Sequence, residues 1–201
     1  INPVHFVQLK AERGIRLYDW LRRHNRKVFL GAFGDDYYHI HTSYELRPLR
    51  YSDFYTPTRE VVHDWNRKNI EGWLRNPGMV RSCQHIAKDC DGIIAALYEY
   101  YVAYTADPAL KDKTTFIPLP IQLTSGDCQT NRLADAPLRF FIGIQRQRSA
   151  LKGTDILLRV ARELHGRYPD RMELITAENL PYAEYARLLS GSDVLLDQIY
   201  S

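Results

Sequence analysis

The chain has 201 residues, enough for one sizeable domain or two small ones, with 45% hydrophobic and 25% charged residues as in ordinary globular proteins. Its net charge is +3, and its bases are interleaved with acids, as in Lys10-Ala11-Glu12-Arg13, which argues against a nucleic-acid binder with Lys and Arg gathered on one face. Three cysteines, Cys83, Cys90 and Cys128, without a C-x-x-C spacing suggest neither a disulfide scaffold nor a zinc site, so a cytoplasmic location is expected.

The apolar run at residues 4–7 reads as a short strand. Residues 14–25 follow with Ile15, Leu17, Tyr18, Trp20 and Leu21 in a helical stripe, and residues 28–33 form a second strand. Strand, helix and strand within so short a span predict a βαβ unit with parallel strands. Gly34-Asp35-Asp36 then ends the second strand at its carboxyl end, where ligands collect in open α/β sheets. Asp36 is the candidate catalytic carboxylate of this half, and a turn capping the strand is its plainer reading. Residues 37–58, rich in Tyr, Arg and Pro, read as a long loop. His39 and His41 lie in it at a spacing seen in some metal sites, although no metal is expected. Helices are predicted over 59–74 and 79–89, separated by Asn76-Pro77-Gly78. A strand follows at 92–97, then a short helix at 98–106 whose tyrosines fit packing better than sugar stacking, and a strand at 115–121.

Residues 123–137 are mainly polar, with Ser, Gly, Asp, Thr and Asn and no run of apolar side chains, which marks a linker between a domain at 1–122 and one at 138–201. Beyond it a strand is expected at 138–144, an amphipathic helix at 154–167, a strand at 172–176, a helix at 182–189 and a strand at 194–196. No apolar run approaches the roughly 18 residues that span a bilayer, and no signal-peptide pattern opens the chain. The sequence starts and stops abruptly in strand-like runs, so both ends read as cut within a longer protein.

The most informative segment is Phe140-Phe141-Ile142-Gly143-Ile144-Gln145-Arg146-Gln147-Arg148-Ser149-Ala150-Leu151-Lys152-Gly153-Thr154-Asp155. A buried strand ends at Gly143, a basic loop follows, and a helix starts near Gly153. Arg146, Arg148 and Lys152 thus gather at a strand's carboxyl end and a helix N-terminus, where unpaired backbone N–H groups already favour an anion. Arg offers a planar fork to phosphate oxygens and Lys a compact charge. The order of a P-loop is absent, as is a G-x-G-x-x-G turn. On charge and spacing alone, solvated loop cations are the plainer alternative.

This segment resembles the start of the C-terminal domain of retaining GT-B glycosyltransferases of the family 4, or group 1, type, in which an Arg six residues before a Lys-Gly pair grips the donor's diphosphate. Arg146 and Lys152 have that spacing. Tyr168-Pro169-Asp170 with the strand after it, Asn179-Leu180-Pro181-Tyr182, and Ser192-Asp193-Val194-Leu195-Leu196-Asp197 are similar to the patterns that follow in the family. The resemblance implies two Rossmann-like βαβ domains, both incomplete here. It implies transfer of a sugar from a nucleoside-diphosphate sugar to the hydroxyl of a glycan or lipid-linked acceptor, with retention and without a metal cofactor. Arg146, Lys152 and Arg148 would bind the diphosphate, and Ala177, Glu178, Asn179 and Leu180 would form the loop beside the base.

Two departures from the family stand out. Many relatives place a His where Gly34-Asp35-Asp36 stands, and their Glu-x7-Glu motif, which contacts sugar and ribose hydroxyls, lies beyond Ser201. A fragment without it is expected to be weakly active or inactive alone. The alternative is a non-catalytic α/β module that binds a phosphorylated ligand or a protein partner. Relatives that dock on anionic lipid suggest a peripheral place at the inner membrane face, for which Arg22-Arg23 and Arg26-Lys27 would serve, against an ordinary solvated face.

Overall fold

The structure, a computed structural model, describes residues 10–52, 54–56, 59–60, 64–120 and 136–200. The strand expected at 4–7 and most of the linker at 123–137 lie outside the described residues, as does Cys128. The chain divides into two compact units, Ile1–Gln122 and Leu123–Ser201. It is mixed α/β, with a three-stranded parallel sheet in each unit.

In the first unit, α1 (Ala11–His24) has Glu12 in its first turn and Arg22, Arg23 and His24 in its last, signs that suit the helix dipole. Its buried Tyr18 donates its hydroxyl to Asp89 at 2.8 Å. Strand β1 (Phe29–Ala32) leads to α2 (Tyr37–His41), which runs on into a π-helical turn, Thr42–Leu46. A hairpin of β2 (Tyr55–Thr56) and β3 (Arg59–Glu60) follows, then α3 (Asp64–Asn69), a second π-helical turn Ile70–Leu74, and α4 (Pro77–Asp89). Strand β4 (Gly92–Ala95), α5 (Tyr98–Thr105), α6 (Pro108–Lys111) and β5 (Thr114–Phe116) complete it. The sheet order is β1-β4-β5. Leu30, Ala32, Ile93 and Ala95 are almost wholly buried, as expected where helices cover both faces of a parallel sheet.

Three expectations need correction here. Residues 37–46 are helical rather than loop: Asp36 caps α2, and Tyr38 and Ile40 turn into the core, a short pattern that the many tyrosines obscured. The helix expected from residue 59 begins at Asp64, after the hairpin. The strand expected to reach residue 121 is confined to Thr114–Phe116; past it, Pro118 and Pro120 have no N–H to extend a ladder.

In the second unit, β6 (Leu138–Ile144) is followed by a 3₁₀ turn, Arg146–Arg148, a one-turn helix α7 (Ser149–Lys152) and the longer α8 (Thr154–Arg167). Strand β7 (Met172–Glu178), α9 (Tyr182–Ser190) and β8 (Val194–Leu195) complete the unit. The sheet order is β7-β6-β8, so β6 is central and the chain crosses it between its last two strands. Ile142, Ala161 and Met172 form the buried centre between sheet and α8. Asp193 ties the entrance of β8 to that of β6: its backbone N–H donates to the Arg139 carbonyl at 2.9 Å, and its Oδ2 accepts from the Arg139 N–H at 2.8 Å. Among the described residues no helix is long and apolar enough to cross a membrane.

Candidate functional site

The carboxyl end of β6 is where the second unit changes direction. One neighbour, β7, follows β6 in the chain; the other, β8, lies on the opposite side. A crevice forms outside the strand ends at such a reversal, because the two connections leave in opposite directions. A cleft of about 870 Å³ occupies this place. Residues from the β6–α7 segment, including Arg146, Arg148 and Lys152, line it together with Ala177 and Glu178, which end β7 two residues later than the sequence suggested, and with Asn179 and Leu180 beyond it. The two groups singled out in the sequence, the three cations and the 177–180 segment, thus share one cleft although α8 and most of β7 lie between them in the chain.

The basic segment is not an extended loop. It winds into the 3₁₀ turn and α7, and Gly153 stops α7 in the left-handed region at φ 71°. Only glycine adopts that conformation at little cost, and it lets α8 start in a new direction, with the N–H groups of Ile156 and Leu157 both donating to the Gly153 carbonyl at 3.1 Å. The Lys152 carbonyl, left over at the end of α7, accepts from Ile199 N–H at 2.9 Å and Tyr200 N–H at 3.3 Å. The backbone that carries Lys152 is therefore held from two sides. Asp155 stands in the first turn of α8, where its charge complements the helix dipole.

Within the cleft the Arg146 guanidinium is ion-paired to Glu178, the last residue of β7. Arg146 is 81% exposed and Glu178 only 24%, so the carboxylate is the anchored partner and the cation the movable one. Such a pair adds little to stability because water screens the arginine. Asn179, next along, has φ 53°, a left-handed turn that asparagine tolerates better than other side chains and that ends β7 directly after Glu178. Tyr185 of α9 and Asp197 beyond β8 also line the cleft. Sequence reading missed both. For Tyr185 the available signal was its place three residues after Tyr182 on a short helix; for Asp197 it was its place directly after the strand expected at 194–196.

Asp36 belongs to the first unit. It is 1% exposed and accepts from the His39 N–H at 2.9 Å and from the Tyr104 hydroxyl. Burial pushes its carboxyl above the ordinary range, against the lowering effect of those two donors. Burial likewise raises the Tyr104 hydroxyl well above its usual value. Asp36 therefore holds the β1–α2 turn together. Its neighbour Asp35 accepts from Asn69 Nδ2 at 2.9 Å and lies 2.9 Å from His39 Nδ1. His41 instead faces Glu45, with Nδ1 2.5 Å from Oε2. Two residues apart on a helix point in nearly opposite directions, so the histidine pair does not converge on one point. Among the described residues no group of three or more His, Cys, Asp or Glu could hold a metal ion. Cys83 and Cys90 are free and buried, and burial pushes the Cys83 thiol up to about 12.

Comparison with protein-family models, with curated proteins and with solved structures found no match.

Proposed function

We propose that the second unit is the donor half-site of a GT-B-type glycosyltransferase, which binds the nucleoside diphosphate of a nucleotide sugar and supports transfer of the sugar to an acceptor hydroxyl. The observation that carries this reading is the meeting of Arg146, Arg148 and Lys152 with residues 177–180, the end of β7 and the turn after it, in one cleft at the carboxyl end of the central strand where the strand order reverses.

The chemistry follows from charge. As the bond between sugar and diphosphate breaks, negative charge grows on the leaving oxygens, and fixed cations beside them lower the barrier more than they stabilise the ground state. Arg146 can offer a fork of two N–H donors, and Lys152 a point charge on an anchored backbone. These side chains supply at the diphosphate the positive charge that a metal supplies elsewhere. In this reading the two units are Rossmann-like halves of a larger enzyme. The first unit serves the glycan or lipid-linked acceptor, and the location is cytoplasmic or peripheral at the inner membrane face.

The test is isothermal titration of UDP and of GDP into the chain and into an Arg146→Ala, Lys152→Ala double variant. Saturable binding of one nucleotide that the variant loses supports the donor half-site and names the base. Binding unchanged in the variant rejects it. A second reading, a non-catalytic module for a phosphorylated ligand, is favoured by one observation: Asp36, the candidate carboxylate of the first unit, is buried and engaged by Tyr104 and the α2 backbone.

A further inference from the structure

A smaller opening lies wholly within the first unit, and the donor reading makes no use of it. It is a pocket of about 200 Å³ lined by Tyr37, Tyr38 and His41 of α2, by Gln84 of α4 and by Asp107, which caps α6; the rest of its lining is apolar apart from Thr42. One hydroxyl in this lining is left over by the fold. Tyr38 is 4% exposed, and its hydroxyl is buried without a hydrogen-bond partner. Such groups are rare, because the bond to water is given up and nothing replaces it. Tyr104, whose ring packs against Tyr38, gives its own hydroxyl to Asp36. Burial pushes the Tyr38 hydroxyl above its ordinary value and the Asp107 carboxylate adds to the shift, so the proton stays in place and the carboxylate is close by.

The groups around that hydroxyl also have capacity to spare. Asp107 accepts from the Ala109 N–H through Oδ1 at 3.0 Å, which leaves Oδ2 for another donor. The half-buried Gln84 side chain makes no hydrogen bond among the described residues. Their chemistry decides what fits. An ammonium group only donates and would leave the Tyr38 proton without an acceptor. A phosphate or carboxylate only accepts, and Asp107 would repel it. A hydroxyl both donates and accepts. The pocket is smaller than the roughly 300–1,000 Å³ that holds a drug-sized molecule, which suits one ring rather than an oligomer. We infer that this pocket binds a small uncharged polyol or monosaccharide, whose hydroxyls engage Tyr38 and the side-chain oxygens of Asp107 and Gln84. The rings of Tyr37 and His41, stacked 5.5 Å apart with planes within 5°, supply flat apolar surface for the C–H bonds of such a ligand.

The experiment titrates myo-inositol, glucose, mannose and galactose, without nucleotide, into the chain and into Tyr38→Phe, Gln84→Ala and Asp107→Asn, with methylammonium and inorganic phosphate as charged controls. Saturation-transfer NMR reads weak binding, and thermal melting reads stability. Saturable binding of at least one neutral ligand is expected, weakened about three- to tenfold in each variant, the scale of one hydrogen bond. Because the Tyr38 hydroxyl has no partner in the free chain, Tyr38→Phe should melt at the wild-type temperature or above it, while the ligand raises the melting temperature of the wild type more than that of the variant. Absence of saturable binding for all four neutral ligands, or equal affinity in the wild type and Tyr38→Phe, overturns the inference. So does a Tyr38→Phe variant that melts well below the wild type, because the hydroxyl would then serve the fold. Methylammonium or phosphate binding more tightly than every neutral ligand, with the same losses in the variants, overturns the ligand class. All the lining residues belong to the first unit, so failure here leaves the donor reading of the second unit untouched.

Discussion

Tyr185 lies over Gly143 so closely that a Cβ on the glycine would come within 2.8 Å of the Tyr185 hydroxyl oxygen. The ring is held edge-on against Phe141 at 5.0 Å, and both Gly143 and Tyr185 line the cleft. A missing side chain on the central strand is thus what admits a phenol from α9 into the site. Gly143→Ala is expected to force the ring from its place at a cost of about 0.5–1.5 kcal/mol, the scale of an off-rotamer side chain. It should also weaken nucleotide binding severalfold. Thermal melting and titration read the two effects. If the variant melts and binds like the wild type, the ring is free to move and takes no part in shaping the cleft.

Gly153 is placed differently: its backbone, rather than its missing bulk alone, is required. At φ 71° an added methyl group carries the left-handed penalty of roughly 1–2 kcal/mol, and it would also meet Ile199 and the Tyr200 ring at 3.1 Å. Gly153→Ala should therefore lower the urea midpoint, and Gly153→Asn should lower it less through the left-handed term. Because the same turn carries Lys152, nucleotide affinity should fall in Gly153→Ala even under conditions where the protein is fully folded.

The buried Asp36 gives a pH dependence whose sign is fixed by burial. Its folded pKa lies above the ordinary value of 3.8, so the folded state holds the proton more tightly than the unfolded state. Its contribution is full below the ordinary value and is lost as pH rises through the raised one. Asp91 acts in the opposite sense and lower on the scale. The Val28 N–H and the nearby Arg22 hold its carboxyl down, so its contribution is lost only as pH falls below the ordinary range. Asp36→Asn can still accept from the His39 N–H. It should remove the decline in stability above about pH 4 and leave the acid limb intact, as read by urea melts at a series of pH values. A decline of the same size in the variant would assign it to another group.

Tyr104→Phe removes a donor from that same carboxylate. The loss of this buried hydrogen bond should cost about 1–3 kcal/mol, the penalty of leaving a buried acceptor unsatisfied. The same cost in the Asp36→Ala background, where the acceptor is gone, would point to packing rather than to the hydrogen bond.

Salt separates the roles of the cleft cations. Arg146 is largely exposed, and screening acts over about 8–10 Å at moderate ionic strength. Nucleotide affinity should weaken severalfold as sodium chloride is raised, with a shallower dependence in the Arg146→Ala, Lys152→Ala variant. Affinity independent of salt in the wild type would mean that these charges do not face the ligand.

Much of the second unit was legible from local pattern. The run from Leu138 to Ile144 is apolar enough to be a strand, and glycine at residue 153 marks the break before a helix, although of its expected face Val160 and Leu164 stay exposed while Leu158, not expected there, packs on the core. The first unit was less so. In residues 37–46 the helix rests on a buried capping carboxylate and on tyrosines turned inward, and a tyrosine-rich segment has no clear apolar stripe to reveal it. The hairpin before Asp64 was hidden because its two-residue strands are too short to show alternation.

The sequence by itself determined which chemistry is present: three cations after one strand, an acidic residue where the next one ends, and a glycine where the backbone must turn left-handed. It did so because helix, strand and turn preferences, and the charges they carry, are local properties of a few neighbouring residues. The tertiary structure alone decided on which side of β6 the last strand would lie, and hence where the crevice opens. It also brought Tyr185, Asp197 and the N–H groups of Ile199 and Tyr200 to the site and paired Arg146 with Glu178. Those relationships depend on burying the two faces of one small sheet at once, a condition on the whole unit that no single stretch of sequence expresses.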